Sequence, residues 1–235
     1  MDKIQIIEEL FTYILECSYI LIPIIFLFIF LFTKDKKNHL FFTLALYGFI
    51  FFFYLHFYYD FPKSLRKIQQ SFYTLLEYSF FSWIIWFNVK SLKFKKNILI
   101  ISFIFLVFHI SYFLYSKPQK IDSVPIGVET ILIFLFSFFY FQQFLKYNIS
   151  KNIYEYPSFW LIVGIIIYLG SGFFFNILAN NVTDQQFENY WHLTYIPEIL
   201  KNLLFAMVLL GYPSYINEQP NSKLKKSDIP NLDII

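Results

Sequence analysis

Apolar runs about twenty residues long, separated by short polar breaks, repeat from one end of the chain to the other. A helix crossing the hydrocarbon core of a bilayer needs roughly 20 apolar residues. Seven segments qualify: Leu10–Phe32 with Pro23 inside it, His39–Tyr59, Ser71–Val89, Ile98–Tyr115, Val124–Leu145, Phe159–Ala179 and Tyr190–Tyr212. The last is the least apolar and carries Pro197, Glu198 and Lys201, but Leu203–Leu210 is strongly apolar and Tyr190–Trp191 reads as an interfacial anchor. The expected fold is all-α: a polytopic membrane protein whose seven transmembrane helices fill residues 1–212, with a short polar tail at 213–235.

Composition agrees with that pattern. Of the 235 residues, 57% are hydrophobic, 24% aromatic and only 15% charged, whereas a soluble domain carries about 25% charge. The 34 Phe and 19 Tyr exceed what one soluble core of this size can hold. A coding sequence rich in A and T accounts for Phe in place of Leu, but not for the length of the runs. Cys17 is the only cysteine, which excludes a disulfide scaffold and predicts a buried, unreactive thiol. Asp2, Glu8 and Glu9 stand where a cleavable signal peptide would be basic.

Charge sets an expected orientation. With the N-terminus outside, the cytoplasmic segments hold twelve Lys, from Lys34 to Lys226, and the outer ones hold six Lys or Arg. That asymmetry favours N-out, C-in, in the cell (inner) membrane. The cluster Lys63, Arg66 and Lys67 runs against it. No basic stripe or binding motif accompanies the net charge of +3, so nucleic acid is not an expected partner. Phosphate loops, HExxH, CxxC and GxSxG are absent from the sequence, and no cofactor is called for.

The candidate chemistry lies in polar residues inside the runs. Such groups are costly in hydrocarbon and face a bundle interior or a cavity. They are His56, Glu77, His109, Glu129, Glu198 and Lys201, with Asn176 as an uncharged companion. At a rise of about 1.5 Å per residue, His56 and Asn176 lie about 5 Å from the outer end of their helices, Glu77, His109, Glu129 and Glu198 about 8–11 Å, and Lys201 about 15 Å. Six helices thus deliver polar groups to the outer half of the bilayer, as a pocket open to the outside would require. His56 and Asn176 are also close enough to water to snorkel. His109 fits a satisfied core histidine, and Glu77 or Glu129 fits an interhelical hydrogen bond. A metal site of His56, His109 and a Glu is conceivable, although no ligand spacing announces one. Lys201 needs a partner in the bilayer, and Glu198, Glu77 or Glu129 is expected to contact it. Pro197 is expected to kink the last helix. Gly170 and Gly172 are expected to let helices approach closely.

Three stretches carry a resemblance: Leu75-Leu76-Glu77-Tyr78; Val128-Glu129-Thr130-Ile131-Leu132 continuing to Phe138-Phe139-Tyr140-Phe141; and Pro157-Ser158-Phe159-Trp160 continuing to Tyr168 and Gly172-Phe173-Phe174. Together they resemble a family of small, mostly uncharacterised bacterial seven-helix membrane proteins often encoded beside two-component sensor kinases. The resemblance implies an input role in signalling, with Glu77, Glu129 and Trp160 as the matching positions. The layout is also similar to a microbial rhodopsin, with Lys201 in the last helix and Glu77 in the third. It departs from one in placing Glu198 three residues before the lysine instead of four, and in lacking the aromatic-proline pattern of the sixth helix.

The leading functional expectation is a membrane sensor or signal relay. A small ligand from outside would enter the pocket, and a separate cytoplasmic partner such as a sensor kinase would receive the signal, because the tail has no room for an output domain. The alternatives are an intramembrane lipid-modifying enzyme similar to lysoplasmalogenase-like hydrolases, using the carboxylates as acid and base, and a small transporter or channel.

Overall fold

The computed structural model describes residues 3–32, 39–57, 62, 65–117, 121, 123–147 and 153–218. Eight α-helices account for almost all of them: α1 (Lys3–Phe32), α2 (His39–His56), α3 (Arg66–Asn88), α4 (Leu92–Tyr115), α5 (Ser123–Tyr147), α6 (Pro157–Leu178), the short α7 (Asp184–Trp191) and α8 (Tyr195–Glu218). Every long helix falls on one of the apolar runs. Six of them, all but α3, are long and apolar enough to cross a membrane. This is the make-up of a multi-pass membrane protein.

α3 has 23 residues but a mixed composition, and its two faces are opposite in character. Gln69, Ser71, Thr74, Glu77 and Ser82 are on the buried side, while Ile68, Phe72, Trp83 and Phe87 are exposed. The same inversion holds elsewhere: Phe28, Phe103, Phe138 and Phe174 are exposed, while Glu129, Lys201 and Asn202 are fully buried. In water this distribution would cost several kcal/mol for each misplaced charge. Against lipid it is the low-energy arrangement, because only the interior offers polar partners.

The long helices alternate in direction. α1, α2, α3, α5, α6 and α8 form a closed ring, with each packed on the next and α8 returning to α1. α4 lies outside this ring in the groove between α3 and α5. α8 is the main packing partner of α6, and α1 packs extensively on both α2 and α8. At Gly164, a hypothetical Cβ would lie 3.6 Å from the Cα of Lys201, which marks the close approach of α6 to α8. A buried hydrogen bond from Asn202 Nδ2 to Ser18 Oγ, 2.9 Å, ties α8 to α1.

Several expectations change here. The seventh apolar run is interrupted: α7 ends at Trp191, a 3-10 turn covers His192–Thr194, and α8 begins at Tyr195. α7 owes its start to a capping box in which Thr183 and Gln186 satisfy each other's backbone N–H groups. Pro197 therefore lies in the first turn of α8, where an amide has no intrahelical acceptor, so it starts the helix and does not kink it. α8 runs on to Glu218. The rest of the tail, with Lys223 and Lys226, lies outside the described residues, as do Lys34 and Lys63. Lys67 donates at 2.6 Å to the carbonyls of Phe113 and of Ser116. It therefore closes the C-terminal end of α4, which gives one charge of the awkward cluster a structural reason. Cys17 is exposed, contrary to expectation, because it sits on the outer face of α1.

Pro23 explains the tightest helix contact. It cannot donate to the carbonyl of Tyr19, four residues earlier. Gly48 of α2 packs against that opening: a Cβ on Gly48 would stand 2.7 Å from Tyr19 O and 2.9 Å from Pro23 Cδ. Gly48→Ala gains about 1 kcal/mol of helix propensity but forces an overlap with a backbone atom, at about 1–3 kcal/mol. The overlap is expected to win, lowering the thermal midpoint of the purified protein. Gly211→Ala, where a Cβ meets nothing within 4 Å, should leave the midpoint unchanged or raise it; equal midpoints for both variants would dismiss the Gly48 argument.

Candidate functional site: a tyrosine and carboxylate cluster under a pocket

The end of the bundle where α1 begins holds a pocket of about 150 Å³. Helical periodicity supplies its walls. On α3, Gln70, Tyr73, Thr74 and Glu77 follow the i, i+3, i+4, i+7 pattern of one face. On α6, Tyr168, Gly172 and Asn176 are each one turn apart. α1 adds Leu15 and Tyr19, α2 adds Phe51, Tyr54 and Leu55, and α8 adds Tyr195 and Glu198. Trp191 and Thr194, from the connection between α6 and α8, and Ile121 and Ile126, around the start of α5, complete the wall. Trp191 is thus a lining residue in addition to any anchoring role. Its indole N–H donates to Tyr195 Oη at 3.1 Å.

Three tyrosine hydroxyls bind the two pocket carboxylates into one network. Tyr19 Oη donates to Glu198 Oε1. Tyr73 Oη stands 3.1 Å from Glu77 Oε1, 3.2 Å from Glu198 Oε1 and 3.1 Å from Tyr168 Oη. Tyr168 Oη in turn lies 3.2 Å from Glu77 Oε2. Tyr73 has one proton to donate and three oxygens within reach of it. The cluster is therefore rich in acceptors and poor in donors. Glu198 also sits in the first turn of α8, where the helix dipole favours a negative group.

Lys201 lies outside the pocket lining and is completely buried. The expected contact with a carboxylate does not form: among the described residues, no Glu oxygen lies within 4.0 Å of its Nζ. Instead Nζ donates to Tyr47 Oη. Aromatic rings surround it, with centroids at 3.9 Å for Tyr168, 5.1 Å for Tyr47, 5.4 Å for Phe81 and 5.5 Å for Tyr19. The reason is geometric. Glu198 points from α8 toward the tyrosines of the pocket floor, while the ammonium, one turn deeper, meets ring faces whose quadrupoles stabilise a cation. Tyr19 and Tyr168 serve both layers, offering a ring to Lys201 and a hydroxyl to Glu198 or Glu77.

The remaining candidates separate. Asn176 lines the pocket. Glu129 is fully buried but does not line it, and neither carboxylate oxygen has a hydrogen-bond partner. His109 is buried against α3, where its Nε2 lies 2.7 Å from Ser71 Oγ and 3.0 Å from Ser71 O. It is a core histidine, as the sequence allowed, but it is satisfied only at Nε2, because its buried Nδ1 has no hydrogen-bond partner. His56 is more than half exposed and pairs with Glu16 at 3.6 Å. A joint metal site of His56 and His109 does not form, and among the described residues no group of three or more His, Cys, Asp or Glu is placed to hold a metal ion. Gly172 opens into the pocket and does not mark a helix contact, whereas Gly170 meets the ring of Phe134 at 3.4 Å.

Sequence reasoning overlooked the tyrosines. Tyr19, Tyr47 and Tyr73 disappear into a composition full of aromatics. The available signal was one-turn spacing to ionisable groups, as in Tyr73 and Glu77. No protein-family model, curated protein or solved structure matches the chain.

Two variants test this geometry. Tyr47→Phe keeps the ring and removes the acceptor for the buried ammonium, so it should cost about 1–3 kcal/mol in thermal or denaturant unfolding. A stability equal to wild type would mean that the rings alone hold Lys201. Glu129→Met removes an unpartnered buried carboxyl at similar volume and should raise stability by about 1–3 kcal/mol. A loss would show that Glu129 has a partner in the protein as it folds.

Proposed function

We propose that this protein is a sensory or signal-relay protein of the cell membrane. In this reading seven helices span the bilayer with the N-terminus outside, the pocket faces outward, and a small ligand bound there shifts the helices against a separate signalling partner. α3 counts as the seventh span because its exposed face is apolar and its polar face is buried. The observation that carries the reading is the blind floor of the pocket. Beneath Tyr19, Tyr73 and Tyr168 lie Lys201, Tyr47 and Phe81, and beyond them a continuous buried layer that includes Leu44, Ile84, Ile85, Ile165, Phe205 and Leu209. A conduit needs polar groups or space along its whole length. A pocket that ends on a packed core suits binding.

α8 is the element suited to carry a response. Its first turn supplies Glu198 to the pocket, it packs on α1 and α6 along its length, and it continues to Glu218 at the opposite end of the bundle. A ligand that engages Glu198 acts directly on that helix. The resemblance to seven-helix proteins encoded beside sensor kinases belongs to the same proposal.

The test uses the full chain in lipid nanodiscs. Binding of a small molecule should raise the thermal midpoint and alter the distance between spin labels near the far ends of α3 and α8, measured in a Cys17→Ser background. Gly172→Leu, which fills the pocket, should abolish both responses while the unliganded protein still melts cooperatively. Ligand binding with no change at the far end would reduce the protein to a binding module. Hydrolysis of a lysolipid by wild type, lost in Glu77→Gln, would replace the relay by the lipid-modifying enzyme.

A further inference from the structure

We infer that the ligand of this pocket is a small organic cation, an amine or quaternary ammonium compound of about ten non-hydrogen atoms or fewer; the inference rests on the pocket being a ligand site. The size limit follows from the cavity. A dry cavity of about 150 Å³ accepts a molecule such as benzene, and this pocket has the same volume. The charge follows from its wall. Two carboxylates, Glu77 and Glu198, line it, and among the described residues no Lys, Arg or His does. The shape of the chemistry follows from the rest of the lining, in which Tyr19, Phe51, Tyr73, Tyr168 and Trp191 present aromatic surface. Aromatic faces with carboxylates behind them recognise ammonium groups through the ring quadrupole and direct charge.

Two further observations point the same way. The floor already holds one ammonium by these means: Lys201 is surrounded by four rings, two of which, Tyr19 and Tyr168, also face the pocket. The ring faces at this level are thus arranged for a cation, and Lys201 fills the lower position only. The hydrogen-bond count is also unbalanced. Around Tyr73 Oη, two carboxylate oxygens compete for one proton, and the only other hydroxyl in reach, Tyr168 Oη, is shared with Glu77 Oε2. An N–H or positive carbon shell entering from above supplies what the network lacks, whereas an anion would add acceptors beside two carboxylates.

Choline and phenethylammonium are suitable probes, because each can be matched to analogues that change only the charge. For choline these are its neutral tert-butyl isostere and tert-butylacetate. Binding to the full chain in nanodiscs is measured by calorimetry and thermal shift. At least one cation should bind about tenfold or more tightly than its neutral isostere, with no detectable binding of the anion. Glu198→Gln should weaken the cation about tenfold and leave the isostere unchanged. If Glu198→Gln fails to fold, Trp191→Leu, at the partly buried rim, should weaken the cation by a similar factor. Equal affinity for cation and isostere, preference for the anion, or no binding of either cation would each overturn the inference. If the neutral isostere or the anion binds and Gly172→Leu abolishes that binding, the cation inference fails while the pocket stands. If a cation binds and Gly172→Leu leaves its affinity unchanged, both fail together.

Discussion

An ammonium group held away from water is the constraint around which this bundle is organised. Lys201 is fully buried, and an uncompensated charge in such a place costs several kcal/mol. No carboxylate touches it. Compensation comes from one hydroxyl and four ring faces. A single cation–π contact contributes about 2 kcal/mol when desolvated, so one ring would not suffice. The rings come from α1, α2, α3 and α6, and the lysine from α8. Five helices must therefore meet at one level, which fixes their relative height and rotation.

The lipid environment enforces the rest of the arrangement. Packing apolar faces against each other gains little when the surroundings are equally apolar. The polar contacts between helices, Ser18 with Asn202, Ser71 with His109 and Ser102 with Tyr78, therefore contribute more to specifying partners than their number suggests. The same logic places the small residues. Gly48 fits against the carbonyl that Pro23 leaves without a donor, and Gly164 admits the backbone of Lys201. Both bring helices of the ring close at the depth of the buried cluster.

Tyrosine is suited to the boundary between the two layers. It has an apolar ring with a negative face and a hydroxyl at the tip that donates to carboxylates. Tyr19 and Tyr168 use the ring toward Lys201 and the hydroxyl toward Glu198 and Glu77. The cluster thereby separates an ammonium from two carboxylates without a direct ion pair and leaves the carboxylates facing the pocket. Phe at either position would keep the lower layer and lose the upper one.

Helix positions and fold class were legible in the sequence because hydrocarbon demands long apolar runs, and a run is a local property. The inward facing of Glu77, Glu129, Glu198 and Lys201 was legible for the same reason, since no other surroundings tolerate them. Local patterns could not say which of these residues meet. Glu198 and Lys201 are neighbours on one helix, yet one faces the pocket and the other lies in a cage of rings beneath it. Glu77 and Glu129 both point inward, yet only Glu77 reaches the pocket. His56 lies on α2 and pairs with Glu16 of α1, whereas His109 lies on α4, outside the ring, and meets Ser71 of α3. Contacts of this kind depend on the rotation of each helix about its own axis and on the order in which helices neighbour one another. Those quantities arise only when the whole ring closes, because each rotation is set by the neighbours on both sides.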